Sequence, residues 1–153
     1  AGGDVEIKNI IQGKSVRILF GNWEEYKKLA KLLNYNFELN DAQDPASCKE
    51  YFEKLQMVFS SEYIFIKQGS NGASLFYNSE FIHFEAPKVN VVDTTGAGDA
   101  FNAGAIYAML SGVESIENIL KNAIETGSMN CTVFGGQEFK NFEELKKKID
   151  KYY

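Results

Sequence analysis

Between Val92 and Gly104 the chain reads Val-Asp-Thr-Thr-Gly-Ala-Gly-Asp-Ala-Phe-Asn-Ala-Gly, which sets the small residues Gly96, Ala97 and Gly98 at a helix entrance directly before the carboxylate of Asp99. Gly96 and Gly98 carry no Cβ, so the backbone can turn sharply and bring its N–H groups close to a ligand. The amides of a first helical turn lack intrahelical partners, and the aligned peptide dipoles add roughly half a positive charge there. An anion such as a phosphate is held well in such a place. Asp99 falls in the same turn, where the dipole favours a carboxylate able to take a proton from a hydroxyl. The combination can hold a phosphate and a base together, although a Gly-rich turn that only starts a helix has the same four letters.

The longer run, D-T-x-G-A-G-D-x-F-x-x-G, resembles the C-terminal motif of the ribokinase/PfkB family of small-molecule kinases. The resemblance implies that the amides of Gly96, Ala97 and Gly98 form an anion hole for the transferred phosphoryl group and that Asp99 is the catalytic base. A second feature points the same way. Asn22 and Glu25 match the N-x-x-E motif that the family associates with magnesium and phosphate handling, Glu25 reaching Mg2+ through water. An Asn followed three residues later by Glu is also a helix-capping pair, and both readings can hold at once. Lys67-Gln68-Gly69 resembles the family's T/K-x-G segment beside the nucleotide, with Gly69 allowing close backbone approach and Lys67 adding charge near the polyphosphate.

By the same resemblance Asp93 and Thr95 stand where several members bind a monovalent cation such as K+, helped by the loop from Phe134 to Gly136. The alternative is an Asp93 that braces the turn with its own side chain. Asn122 approximates the place where the family contacts adenine or ribose, or else is a polar residue facing solvent. His83, the single histidine, alternates with Ile82 and Phe84 and reads as a half-exposed strand residue. Lys146 to Lys148 read as the solvated side of a helix.

The elements that position these residues are legible as alternating strands and helices. Val16 to Phe20 forms a short buried strand leading to Gly21 and Asn22, and Trp23, Tyr26, Leu29, Ala30 and Leu33 recur at helical spacing after it. Asp44-Pro45 opens a helix whose apolar stripe is Tyr51, Phe52, Leu55, Val58 and Phe59. Tyr63 to Lys67 is a second buried strand, and Ala73 to Tyr77 with Phe81 to Glu85 form a hairpin around Asn78-Ser79. A helix from Gly98 to Ser111, small or apolar on nearly every side, is expected to be buried. Ser115 caps the next helix, which runs toward Cys131, and Asn141 with Glu144 begins a last amphipathic one. Strand and helix alternation with short links indicates an α/β layered domain with a mostly parallel sheet, and the resemblance implies a ribokinase-like fold.

The 153 residues suffice for one domain, and 16 Lys+Arg against 21 Asp+Glu, spread along the chain, disfavour nucleic acid as a partner. No apolar run approaches the ~18 residues of a membrane span. Cys48 and Cys131 lack the spacing of a zinc site. The expectation is a cytoplasmic protein.

The resemblance covers Val16 to about Gly136, and residues 1–153 are expected to be the nucleotide-binding and catalytic, C-terminal part of a ribokinase-like kinase domain. The Gly-Gly substrate motif and the lid over the sugar are not found, so a C-terminal part that is inactive alone is expected. The implied reaction is ATP-dependent transfer of the γ-phosphate to an alcohol group of a sugar, with ATP and Mg2+ required and a homo-oligomer compatible with the full-length enzyme. Leu19-Phe20-Gly21-Asn22 with Glu25 looks like the L-F-G-N-x-x-E of adenosine kinases, which keeps a nucleoside acceptor open. An inactive nucleotide-binding module is the alternative of another class.

Overall fold

The computed structural model describes residues 16–34, 49–135 and 147. Two compact units emerge from the contacts between residues: the first holds the chain up to Gln68 together with 74–83, and the second holds 69–73 and the chain from Phe84 onward. The expected start of a helix at Asp44-Pro45 and the expected final helix from Asn141 fall outside the described residues, Lys147 apart. None of the described helices is long and apolar enough to cross a membrane.

The first unit is built on a four-stranded sheet of order β1-β2-β3-β4, with β1 at Ile18–Asn22, β2 at Tyr63–Lys67, β3 at Ala73–Tyr77 and β4 at Glu80–Phe84. β1 and β2 run parallel, in a register that pairs Ile18 with Tyr63 and Asn22 with Lys67. That pair is the parallel part of the sheet. The turn between β3 and β4 is only two residues, Asn78 and Ser79, both with positive φ, the conformation that matches the twist of an antiparallel hairpin.

Two helices close over the sheet: α1, Trp23–Leu32, and α2, Lys49–Phe59. Helical spacing turns Tyr26 and Ala30 of α1, and Tyr51, Phe52, Leu55 and Phe59 of α2, into a core with Ile64, Ile66 and Phe76. Phe52 is its aromatic centre. Its ring lies edge-on to Trp23, Tyr26, Tyr51 and Phe81 at centroid distances of 5.2 to 5.8 Å, the arrangement that ring quadrupoles prefer. The two buried tyrosines keep their hydroxyls satisfied: Tyr26 donates to the Phe65 carbonyl at 3.0 Å, and Tyr51 donates to the Tyr26 carbonyl at 2.8 Å. Burial pushes the Tyr26 hydroxyl well above the usual tyrosine range, so it stays a donor.

The second unit is organised by α3, Ala97–Leu110, and α4, Ile116–Asn130. Ser115 caps α4, its side chain accepting from the Asn118 amide at 3.3 Å, as the sequence predicts. The two helices approach closely where Gly104 faces α4: a Cβ on Gly104 would stand 2.6 Å from Thr126 Oγ1 and 3.2 Å from the Asn122 carbonyl oxygen. Thr126 Oγ1 meanwhile donates to that same carbonyl at 2.8 Å. On the other helix, a Cβ on Gly127 would meet the Ala97 carbonyl oxygen at 3.1 Å.

α3 is not buried all round, as its composition suggested. Its buried positions are Ala100, Phe101, Gly104, Ala105 and Ala108, while Ile106, Tyr107 and Leu110 are exposed. Small residues four apart carry the packed face, and the larger apolar ones lie elsewhere on the helix, a division that overall apolarity does not reveal.

Gly104→Val tests this contact. The added branches have only Thr126 and α4 backbone to displace, so the expected outcome is a loss of about 1–3 kcal/mol, read as a lower urea midpoint with an unchanged slope.

Candidate active site

Gly96 sits at φ 77°, the left-handed region that suits glycine, and it is the residue from which α3 starts. No side chain caps this end of the helix. The first helical bond runs from the Ala100 amide to the Gly96 carbonyl at 2.9 Å, and the Ala97 amide is turned back onto the Thr94 carbonyl at 3.2 Å. The Ala97 donor thus closes the turn that leads into the helix. The amides of Gly96, Gly98 and Asp99 have no partner among the described residues, and unpartnered amides at a helix start can donate to an anion. Asp99 is exposed on the same first turn.

The turn before the helix is clasped to the end of α4. The Val92 and Asp93 amides both donate to the Cys131 carbonyl, at 2.8 and 3.3 Å. Asp93 Oδ1 accepts from the Thr95 amide at 2.9 Å and from the Thr95 hydroxyl at 2.7 Å, while Oδ2 accepts from the Gly135 amide at 3.1 Å. Asn130, 1% exposed, donates from Nδ2 to the Thr95 carbonyl at 2.7 Å. So the bracing reading of Asp93 is what the structure shows. For a monovalent cation the donor set does not fit: both Asp93 oxygens and the Thr95 carbonyl already face hydrogen-bond donors. Gly136 lies outside the described residues.

Sequence reasoning missed Asn130. A signal existed: it continues the buried stripe of Ala123, Thr126 and Gly127 at helical spacing, and an amide in an otherwise small and apolar stripe must find a partner.

In the first unit, Asn22 is the N-cap of α1. Its Oδ1 accepts from the Glu25 amide at 2.9 Å, and its own amide donates to Glu25 Oε2 at 2.7 Å, a complete capping box. The cap uses one carboxylate oxygen of Glu25 and leaves the other outside it, on an exposed side chain. The β1–β2 register sets Lys67 beside Asn22, so the sheet's carboxyl edge gathers Asn22, Glu25 and Lys67. Open α/β sheets bind their ligands at this edge. No cluster of three or more His, Cys, Asp or Glu side chains able to hold a metal occurs among the described residues. Magnesium that keeps most of its water asks for only one or two carboxylates, a demand that the Glu25 oxygen outside the cap fits.

Gly69 opens a short 3-10 turn, Gly69–Asn71, with nothing among the described residues within 4 Å of where its Cβ would be. Asn122 is 0% exposed with both side-chain amide atoms unpartnered among the described residues, which corrects the expectation of a solvent-facing residue. An amide so enclosed offers no surface to an adenine. His83 is exposed on β4, its Nδ1 3.0 Å from the buried Ser74 hydroxyl.

The hydrogen bonds from the Thr95 amide and hydroxyl, then from the Gly135 amide, hold the Asp93 carboxyl below its ordinary range. A lowered value in the folded chain means that the clasp contributes fully above about pH 4 and is lost as the pH falls through that lowered value. Amide exchange at Thr95 and Gly135 is expected to accelerate only in that acid window, whereas Asp93→Asn gives weak protection at every pH.

Residues 5–142 match the family model described as pfkB family carbohydrate kinase. The chain is 34% identical to the ribokinase of Arabidopsis thaliana over 136 residues, which cover 88% of this chain and 33% of that protein. The solved ribokinase of Thermotoga maritima matches with a TM-score of 0.69 at 26% identity, covering 89% of this chain and 42% of that one. Aminoimidazole riboside kinase from Salmonella enterica, solved with aminoimidazole riboside and an ATP analog, matches with a TM-score of 0.68 at 25% identity, covering 99% of this chain and 47% of that one. The chain spans between a third and a half of the length of these relatives. Its fold is the ribokinase-like α/β fold, and with the family model matched over most of its length, the chain belongs to the pfkB family of carbohydrate kinases.

Proposed function

We propose that this chain carries the nucleotide-binding and phosphoryl-transfer part of an ATP-dependent kinase whose acceptor is an alcohol group of a sugar. The observation that carries the reading is the start of α3, where the Gly98 and Asp99 amides have no partner among the described residues and the Asp99 carboxylate stands exposed on the same turn. The terminal phosphate of ATP is placed against those amides, which donate to its oxygens as negative charge shifts during transfer. Asp99 takes the proton of the attacking hydroxyl. Phosphoryl transfer asks more for positioning and charge stabilisation than for a strong base, so an ordinary carboxylate serves when the proton leaves late.

In the first unit, Glu25 is assigned to magnesium through water, by the carboxylate oxygen that the capping box does not use, and Lys67 supplies positive charge for the polyphosphate. When bound, magnesium neutralises charge on the phosphate oxygens. Asn22 holds Glu25 in place through the cap, so one hydrogen-bond pair both ends a strand and orients a ligand group. The second reading, a nucleoside acceptor, is favoured by Leu19-Phe20-Gly21-Asn22 with Glu25 and by the riboside bound to the Salmonella enterica relative.

The donor set is tested by titrating the 153-residue chain with Mg·ATP in a calorimeter. Weak binding with negligible turnover is the expected outcome, and Gly98→Val, which puts a branched side chain over the donors, abolishes it. Binding that survives Gly98→Val overturns the cradle.

In an enzyme carrying this sequence, Asp99→Asn keeps ATP binding and lowers the transfer rate by about 100- to 10,000-fold. Near-normal turnover would remove Asp99 from the base role. A screen of sugars against nucleosides with the same enzyme decides the acceptor.

A further inference from the structure

Asn130 lies in the last turn of α4, almost fully buried, with its amide nitrogen directed at the turn that feeds α3. Every oxygen of that turn named above as a cation ligand meets a donor from the chain itself. The Thr95 carbonyl takes Asn130 Nδ2, Asp93 Oδ1 takes the Thr95 amide and hydroxyl, and Asp93 Oδ2 takes the Gly135 amide. Nearby, the Cys131 carbonyl at the end of α4 takes the Val92 and Asp93 amides, and the Met129 carbonyl takes the Thr132 hydroxyl at 2.7 Å. A monovalent cation stabilises a loop of this kind by gathering oxygens whose lone pairs would otherwise face one another. Here N–H and O–H dipoles, with their positive ends turned to the same oxygens, do that work.

We propose that Asn130 is a positioning residue that takes the place of the monovalent cation, so that the loop from Asp93 to Gly96 is set without K+. The amide is well placed for it. α4 is held against α3 by the Gly104 and Gly127 approach, so a donor on its last turn is anchored on a rigid element rather than on a loop. The Thr95 carbonyl is one residue from Gly96, whose left-handed conformation starts α3, and fixing that carbonyl fixes the peptide plane entering Gly96. In the kinase reading this sets the Gly98 and Asp99 donors. The consequence for ATP rests on that reading, whereas the cation independence of the loop does not.

One atom offers the opposite outcome. Asn130 Oδ1 is buried with no hydrogen-bond partner among the described residues, and an amide turned over would present this oxygen, beside the Thr95 carbonyl, to an ion. The two arrangements separate in solution by cation specificity.

Thermal unfolding of the 153-residue chain is measured in KCl and in choline chloride at matched ionic strength, which equalises screening, and Mg·ATP affinity is measured in both. The wild-type chain is expected to give the same midpoint and the same affinity in the two salts. Asn130→Asp keeps the size of the side chain, removes the donor and sets a second carboxylate near Asp93 and the Thr95 carbonyl. It is expected to unfold earlier in choline, to bind ATP about tenfold more weakly there, the worth of one buried hydrogen bond left unmade, and to recover both in KCl. Asn130→Ala is expected to lose stability in choline and regain part of it in KCl.

A midpoint for the wild-type chain that rises in KCl over choline overturns the proposal and assigns Oδ1 to the ion. Losses in both variants that KCl does not restore overturn it as well and leave Asn130 a packing residue, as does an Asn130→Asp chain indistinguishable from wild type in choline. Should no variant bind ATP in either salt, the kinase reading fails, and the midpoints still decide the role of Asn130.

Discussion

Thr126 can stand against Gly104 only because that position of α3 has no side chain, and the distance between α3 and α4 is set there. Everything described in the second unit follows from this approach. A helix entrance is useful as a phosphate site only if its first-turn amides are aimed reproducibly, and aim comes from the packing of the helix behind it. Ala100, Gly104 and Ala108 keep the packed face flat, and Gly127 lets the start of α3 come within contact of α4. Helix α4 then serves as the fixed rail to which the preceding turn is tied through Asn130 and Cys131.

The turn itself shows how much hydrogen bonding a short loop requires when it carries a positive φ. Gly96 is conformationally free in an unfolded chain, and the structure restrains it by fixing its neighbours. Asp93 organises three donors, and its charge is what makes those bonds stronger than neutral ones. The Ala97 amide closes the turn on Thr94, while the Gly96, Gly98 and Asp99 amides have no backbone partner among the described residues. Asp99 thus carries a backbone amide and an exposed carboxylate on one turn.

In the first unit the economy is of another kind. Five buried aromatic rings, Phe52 among them, and a set of aliphatic side chains form the interior, and the two tyrosine hydroxyls offset the polar cost of their own burial by reaching backbone carbonyls. The sheet edge stays polar where β1 ends, and Asn22 and Glu25 cap α1 there while standing next to Lys67. The cap asks for an amide and a carboxylate three residues apart and occupies only one of the two Glu25 oxygens.

The amino-acid sequence by itself determined what local chemistry decides. Periodicity located α1, β2, β3 and α4 nearly to the residue, Asn78-Ser79 marked the hairpin, and Gly96 to Asp99 marked the start of α3, because turn conformations and caps depend on a few neighbouring residues. Tertiary structure alone decided which donors and acceptors remain. The backbone partner of Ala97, the enclosure of Asn122, the one-sided burial of α3 and the reach of Asn130 to Thr95, 35 residues away in the chain, depend on how elements pack. Spacing along a chain tells which face a residue takes, but not what lies across from it, and a hydrogen bond is satisfied only by the group that packing brings within about 3 Å.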